Sequence, residues 1–274
     1  PLIAGAAVAA VVGFVLFVRR QRRMSEPLLE FSIFRNKAFT GGVLAAAFAM
    51  FTIAGAQLIT TQRFQLVEGF SPLQAGLLVA AIALGALPSG LLGAAFLDTL
   101  GLRLIISGGL GVGALGLLLS ITAVATDTFA LLVAGFVVTG LGLGGAFSVA
   151  SSAIMGNAHP RKAGMAASVE EVSYEMGSLS AVAVLGSLLT FVYAFTVQLP
   201  NGSPDAARES LADALAVADG NSEVIAAANT AFDTAYLVTM IVLGVVLAVG
   251  AGVTNRLLRA YGRNSQAMEF AENH

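Results

Sequence analysis

Seven stretches of this chain, near residues 1–18, 39–61, 73–97, 103–124, 129–154, 165–197 and 234–255, are almost wholly apolar and are separated by polar breaks. Each is close to or above the ~20 residues that, at about 1.5 Å per residue, carry a helix across a hydrocarbon core about 30 Å thick. Water cannot pair with backbone N–H and C=O groups inside such a core, so only helices and closed barrels persist there. Barrel strands need only about half this length. The expected fold class is therefore all-α and integral to a membrane. Composition agrees, with 57% hydrophobic and 11% charged residues. Cysteine is absent and histidine occurs only at His159 and His274, which leaves disulfide frameworks and the usual zinc or iron–sulfur sites without ligands. No metal and no organic cofactor is expected. An intramembrane hydrolase is disfavoured too, because the chain offers no paired His or Cys as nucleophile or metal ligand.

The connections alternate in charge. Arg19, Arg20, Arg22, Arg23, Arg35 and Lys37 follow the first run, Arg103 the third, Arg161 and Lys162 the fifth, and Arg256, Arg259 and Arg263 the last. Only Arg63 and Arg208 fall on the other side. Cations in short loops mark the cytoplasmic face, so the first set and the C-terminus are expected there. No nucleic-acid partner is expected. The chain then divides into a transmembrane helix (1–18), a cytoplasmic linker (19–37), five transmembrane helices (38–199), an extracytoplasmic loop (200–232), a last transmembrane helix (233–256) and a cytoplasmic tail (257–274). Six spans after the linker suit the three-plus-three inverted repeats of many secondary transporters. In the polar loop, Asn201-Gly202 signals a turn, Ser203-Pro204 a helix start and Asn221 a second start, which predicts a short helical hairpin. An apolar run that opens at Pro1 without a Met suggests a longer protein continuing upstream.

Three segments, "PLLEFSIFRNKAF" (27–39), "FQLVEGFSPLQAGLL" (64–78) and "LDTLGLRL" (97–104), together resemble the C-terminal half of the fourteen-helix drug:proton antiporters of the major facilitator superfamily. A fourth, "NAHPRKAGMAASVEEVSYEMGSLSAVAVLGS" (157–187), is similar to the quaternary-ammonium and biocide efflux branch, whose penultimate helix carries acids. The resemblance implies a six-helix C-terminal bundle with one preceding helix, the family's helices eight to fourteen. It further implies multidrug efflux coupled to protons, with lipophilic cations as substrates: quaternary ammonium compounds, dyes and fluoroquinolones. An N-terminal helical half and the lipids of the bacterial cytoplasmic membrane are the implied partners. The superfamily's loop motif, Gly-x-x-x-Asp-basic-x-Gly-basic-basic, is matched at Asp98, Gly101 and Arg103 but not at Ala94, Thr99 or Leu102. That puts a gating role for the loop in doubt; a tight turn with Asp98 at the start of a helix beginning near Arg103 accounts for it equally well. Two other classes stay open, a lipid or metabolite transporter of the same fold and a non-catalytic membrane module that assembles with a partner.

Within the sixth run, "SVEEVSYEMG" carries Glu170, Glu171 and Glu175. An acid at a helix centre costs roughly 2.5–3.5 kcal/mol on insertion, so function is the default reason for placing three there. Counting from Lys162, Glu170 and Glu171 lie about 12–14 Å into the span and Glu175 about 6 Å beyond Glu171. Glu171 and Glu175, four apart, share a face with Ser168 and Ser178, whereas Glu170 is turned by about 100°. Val169, Val172 and Met176 are expected on the opposite side. Desolvation favours a carboxylate's neutral form, and two acids one turn apart resist double ionisation, which suits a site where a proton and a cation compete. Glu175 is the central candidate, Glu171 its partner, and Glu170 a flank that could equally snorkel to the cytoplasmic mouth or meet Arg161 or Lys162. Tyr174 could offer an aromatic face to a cation, and Gln57 could line a cavity, although packing explains each as well. Phe48, Met50, Phe51, Phe147 and Phe191 are further candidates for an apolar drug pocket, again against ordinary packing. "GLGLGG" (140–145) reads as a close helix contact, Pro88 as a possible bend, and Asp127, Asp205, Asp213, Asp219 and Asp233 as solvated or capping.

Overall fold

Polar residues at the breaks start the helices by accepting the backbone N–H groups that a first turn leaves unpaired. Asn36 accepts from Ala38 and Phe39, Ser71 and Gln74 form a reciprocal capping box, Ser210 accepts from Asp213, and Asn221 accepts from Glu223 and Val224. The computed structural model describes residues 2–21, 23 and 30–263. Its helices are α1 (Leu2–Gln21), α2 (Lys37–Leu66), α3 (Pro72–Gly93), α4 (Leu97–Ala125), α5 (Phe129–Gly156), α6 (Ala163–Thr196), α7 (Leu211–Val217) and α8 (Ser222–Leu257). Among the described residues, α2, α3, α4, α5, α6 and α8 are six helices long and apolar enough to cross a membrane. The described side chains of α1 are largely exposed. Residues 22 and 24–29 of the expected linker, and 264–274 of the expected tail with His274, lie outside the described residues.

After α3, residues 94–96 lead into one helical turn, Leu97–Leu100, which holds Asp98; the chain kinks at Gly101, whose φ of 76° favours glycine, and the long part of α4 runs from Leu102, close to the expected start near Arg103. In the 200–232 segment two helical arms meet at the turn 218–221, and the first arm is broken. A 3-10 turn (Asp205–Arg208) precedes an extended Ser210 that starts α7, and Asn221 starts α8 itself, which runs without a break into the last apolar run. Ser203 therefore starts no α-helix; that role passes to Ser210. Pro88 lies inside α3, which is helical on both sides of it.

Glycine sets how closely the helices approach. A methyl group at Gly140 would overlap the Ile82 carbonyl of α3, and one at Gly144 the Ala86 carbonyl, whereas one at Gly142 would overlap Gly109 and Gly113 of α4. The "GLGLGG" segment thus presents glycine alternately to two neighbours, which supports the packing reading over ligand binding. α5 runs parallel to α3 and antiparallel to α4; α2 runs parallel to α6 and antiparallel to α8, as the Gly55–Leu185 and Gly250–Phe48 contacts show. At the end where α2 and α6 begin, called here the basic end, the 3-10 helix Phe31–Arg35 packs Ile33 and Phe34 against Phe39, Ile154, Ala166 and Val169. Lys162 donates to Glu30, and Asn36 Nδ2 donates to Asn157 Oδ1 at 3.2 Å, so this short helix is tied to the foot of α6. That hydrogen bond from Lys162, aided by one from Ser32, holds the Glu30 carboxyl below its ordinary value.

Candidate functional site

Helical spacing divides α6 into sides with different neighbours. Ala166, Val169, Ser173, Gly177 and Ala181 recur every three or four residues and are buried. A methyl group at Gly177 would overlap the Ala47 carbonyl, so α6 crosses α2 in close contact just beyond the acidic segment. Glu171, Val172, Glu175 and Met176 face outward and are exposed. Val172 and Met176 therefore share the open side with the acids, where the sequence reading had placed them opposite. At about 100° per residue Val172 lies to one side of the Glu171–Glu175 face and not opposite it. Among the described residues, neither Glu171 nor Glu175 has a side-chain hydrogen bond or ion pair. Ser168 and Ser178 donate to the carbonyls of Gly164 and Glu175 on their own helix, at 2.9 and 3.1 Å, so their hydroxyl hydrogens are already engaged.

Glu170 has different surroundings. It is half-buried, and the Tyr174 hydroxyl, one turn further on, donates to its Oε1. The Tyr174 ring stacks on Phe147 of α5, with centroids 4.7 Å apart and planes 18° apart. Phe147 in turn lines an apolar cavity of about 430 Å3, together with Met50 and Ile53 of α2, Leu87 and Leu91 of α3, and Leu143 and Ser148 of α5. Gln57 is exposed on α2, one turn beyond Ile53 on the same face. The structure thus brings Glu170, Tyr174, Phe147 and Met50 into one line and leaves Glu171 and Glu175 beside it on the open side. The other apolar candidates are placed elsewhere. Phe48 packs against Gly250 of α8, Phe51 against the core, and Phe191 is exposed and stacked on Phe195.

The motif residues Asp98, Gly101 and Arg103 sit at the basic end. A methyl group at Gly101 would meet the Gly262 carbonyl; the Arg103 N–H donates to the Tyr261 carbonyl at 2.9 Å and Arg103 Nε to Asn255 Oδ1 at 2.8 Å. Glycine and arginine thus clamp α4 to the end of α8. Asp98 is exposed and makes no side-chain hydrogen bond among the described residues; its charge suits the first turn of α4 without capping it.

At the opposite end lies a cluster that sequence reasoning did not find. Arg63 of α2 is only 9% exposed. Its Nε donates to Asp233 Oδ1 of α8 at 2.8 Å, and its Nη1 lies 3.3 Å from Glu68. The guanidinium carbon is 5.0 and 5.5 Å from the ring centroids of Phe64 and Tyr236, and the Tyr236 hydroxyl is 3.3 Å from that of Thr60. Asp233, expected to be solvated or capping, is an ion-pair partner. One signal was available: Arg63 is one of two cations on its side of the charge pattern.

Comparison with known proteins extends this picture. The sequence profile of the Major Facilitator Superfamily matches residues 2–182. Multidrug efflux pump LfrA of Mycolicibacterium smegmatis is 34% identical, over 91% of this chain and 53% of its own length. Methyl viologen resistance protein SmvA of Salmonella typhimurium is 31% identical, over 86% of this chain and 50% of its own. The chain therefore spans about half the length of these curated relatives. Among solved structures, a bacterial homologue of the human lysosomal transporter Spinster, inward-facing and occupied, superposes with a TM-score of 0.66 at 18% identity, covering 83% of this chain and 50% of that one. At that identity the likeness concerns the fold alone.

Proposed function

Because the chain belongs to the Major Facilitator Superfamily, a family of multi-pass membrane transporters rather than enzymes, we propose that it forms the C-terminal half of a drug exporter that exchanges lipophilic cations for protons. The observation that carries this reading is the line from Glu170 through Tyr174 and Phe147 to an apolar cavity, with two acids that have no side-chain partner among the described residues, Glu171 and Glu175, on the adjacent side. An apolar cavity accepts the greasy body of a cation, and carboxylates set in an apolar helix accept its charge. Two relatives bear compatible names, one a multidrug efflux pump and one a protein of resistance to methyl viologen, a flat aromatic dication. Quaternary ammonium compounds and cationic dyes are the substrate class that this chemistry fits.

Exchange follows from competition. An ionised carboxylate group attracts the cation on the cytoplasmic side; protonation from the other side neutralises it and releases the cation outward. The remaining requirement is alternating access, which in transporters built from two helical units comes from rocking of one against the other. An N-terminal helical half would supply the second unit, and the open side of α6 would face the space between them. Inverted or right-side-out vesicles containing the full-length protein test this. Ethidium transport should follow an imposed proton gradient and reverse when the gradient is reversed; transport indifferent to the gradient would remove the proton from the account.

A further inference from the structure

Tyr174 touches both halves of the candidate site. Its hydroxyl donates to Glu170, and its ring lies against Phe147, which forms part of the cavity wall. α5, which supplies Phe147, carries no titratable side chain from Phe129 to Gly156. α2 has only Lys37 and Arg63, at its two ends, and Arg63 is engaged with Asp233 and Glu68. On α8 the charged groups are Glu223 and Arg256 near the ends and Asp233 about three turns in, the last engaged with Arg63, and at the foot of α6 Lys162 is engaged with Glu30, with Arg161 next to it in the chain. On α6 itself Glu171 and Glu175 are the charged neighbours. Among the described residues, then, the polar partner of Glu170 is the Tyr174 hydroxyl.

Resting on the exchange reading above, we propose that Tyr174 is a positioning residue that couples occupancy of the apolar cavity to the state of Glu170. A flat cation entering the cavity meets Phe147. Because the two rings are stacked face to face, displacing Phe147 displaces Tyr174, and the hydroxyl leaves Glu170. The carboxylate, deprived of its donor, then takes either the positive charge of the incoming drug or a proton from water. No covalent bond changes; the proton on the Tyr174 oxygen stays there throughout. With the cavity empty, Tyr174 returns and stabilises the carboxylate, which readies the site for the next cation.

The test uses purified full-length protein and ethidium fluorescence across a pH series. Tyr174→Phe keeps the ring stack and removes the donor, so Glu170 is left without its hydroxyl partner. The pH at half-maximal ethidium binding should rise by about one unit. Phe147→Leu leaves the donor but removes the stack, and should weaken ethidium binding about three- to tenfold at the pH of best binding while leaving the pH midpoint in place. A Tyr174→Phe profile that coincides with wild type, or one that falls equally at every pH, overturns the proposal. So does an unchanged ethidium affinity in Phe147→Leu, which remains a test if Tyr174→Phe does not fold. Gradient-driven ethidium transport by the unaltered protein separates these failures from failure of the exchange reading, because that reading requires such transport whatever Tyr174 does.

Discussion

Arg63 and the acids of α6 are charged groups carried by apolar helices of one bundle, yet the fold treats them in opposite ways. Around Arg63, α2, α8 and the turn between α2 and α3 all contribute: a carboxylate from α8, another from the turn, and an aromatic face from each helix. Glu171 and Glu175 have no side-chain partner among the described residues, and Glu170 has one hydroxyl. A charge wrapped on all sides is fixed by the structure and has little left to exchange. Carboxylates left open are chemically free to take a proton or a cation. The difference separates a cluster that holds two helices together from one whose pairing is still to be made.

Breaking the wrapped cluster should give the largest effect on stability. Arg63→Ala strands Asp233 beside an emptied site and removes two cation–π contacts. A fully buried pair would cost about 3–5 kcal/mol, but the Asp233 and Glu68 side chains are 38% and 42% exposed, so solvent screening brings the expectation to about 2–3 kcal/mol. Denaturant titration in detergent measures it. Replacing Arg63 together with its hydrogen-bonded carboxylate, Arg63→Met with Asp233→Leu, should recover more than half of that loss, since the charge that remains, on Glu68, is 42% exposed to solvent. Neither variant should move the pH dependence of whatever transport it retains. If Arg63→Ala shifts that dependence, the two regions are not separate and the contrast fails.

The smallest effect is expected at the Glu30–Lys162 pair, which is exposed and open to salt. Because the Glu30 carboxyl titrates below its ordinary value of 4.5 in the folded state, its contribution is present above that pH and is lost as pH falls through the lower folded value. Glu30→Gln should therefore leave stability nearly unchanged in high salt and remove only the acid-side part of its pH dependence. Thermal melts at low and high salt check this, and a large loss near neutral pH would show that the linker's hold on α6 rests on this pair rather than on Ile33 and Phe34.

Helices were the most legible level of the fold. Five of the long helices lie within about six residues of the apolar runs, because membrane length and caps such as Ser71 and Asn221 act locally. α8 was the exception at its start, since "AAANTAFDT" is too polar for an apolar window yet continues the helix that Asn221 begins. The site was legible as a helix and a depth. Periodicity turned Glu170 away from Glu171 and Glu175, but it could not say that α5 would bring Phe147 against Tyr174. Nor could it join Arg63 to Asp233, residues 170 positions apart. Such pairings depend on which helices touch, and that is fixed by glycine contacts such as Gly177 with Ala47, spread over distant parts of the chain.

The central claim is that the open acids of α6 carry the exchange while contributing nothing to the fold. Full-length protein bearing Glu171→Gln and Glu175→Gln together, in vesicles with an imposed proton gradient, tests it most directly. The account predicts that the double variant melts within about 0.5 kcal/mol of the unaltered protein but no longer drives ethidium transport with the gradient. Gradient-driven transport that persists with its pH dependence intact would contradict it.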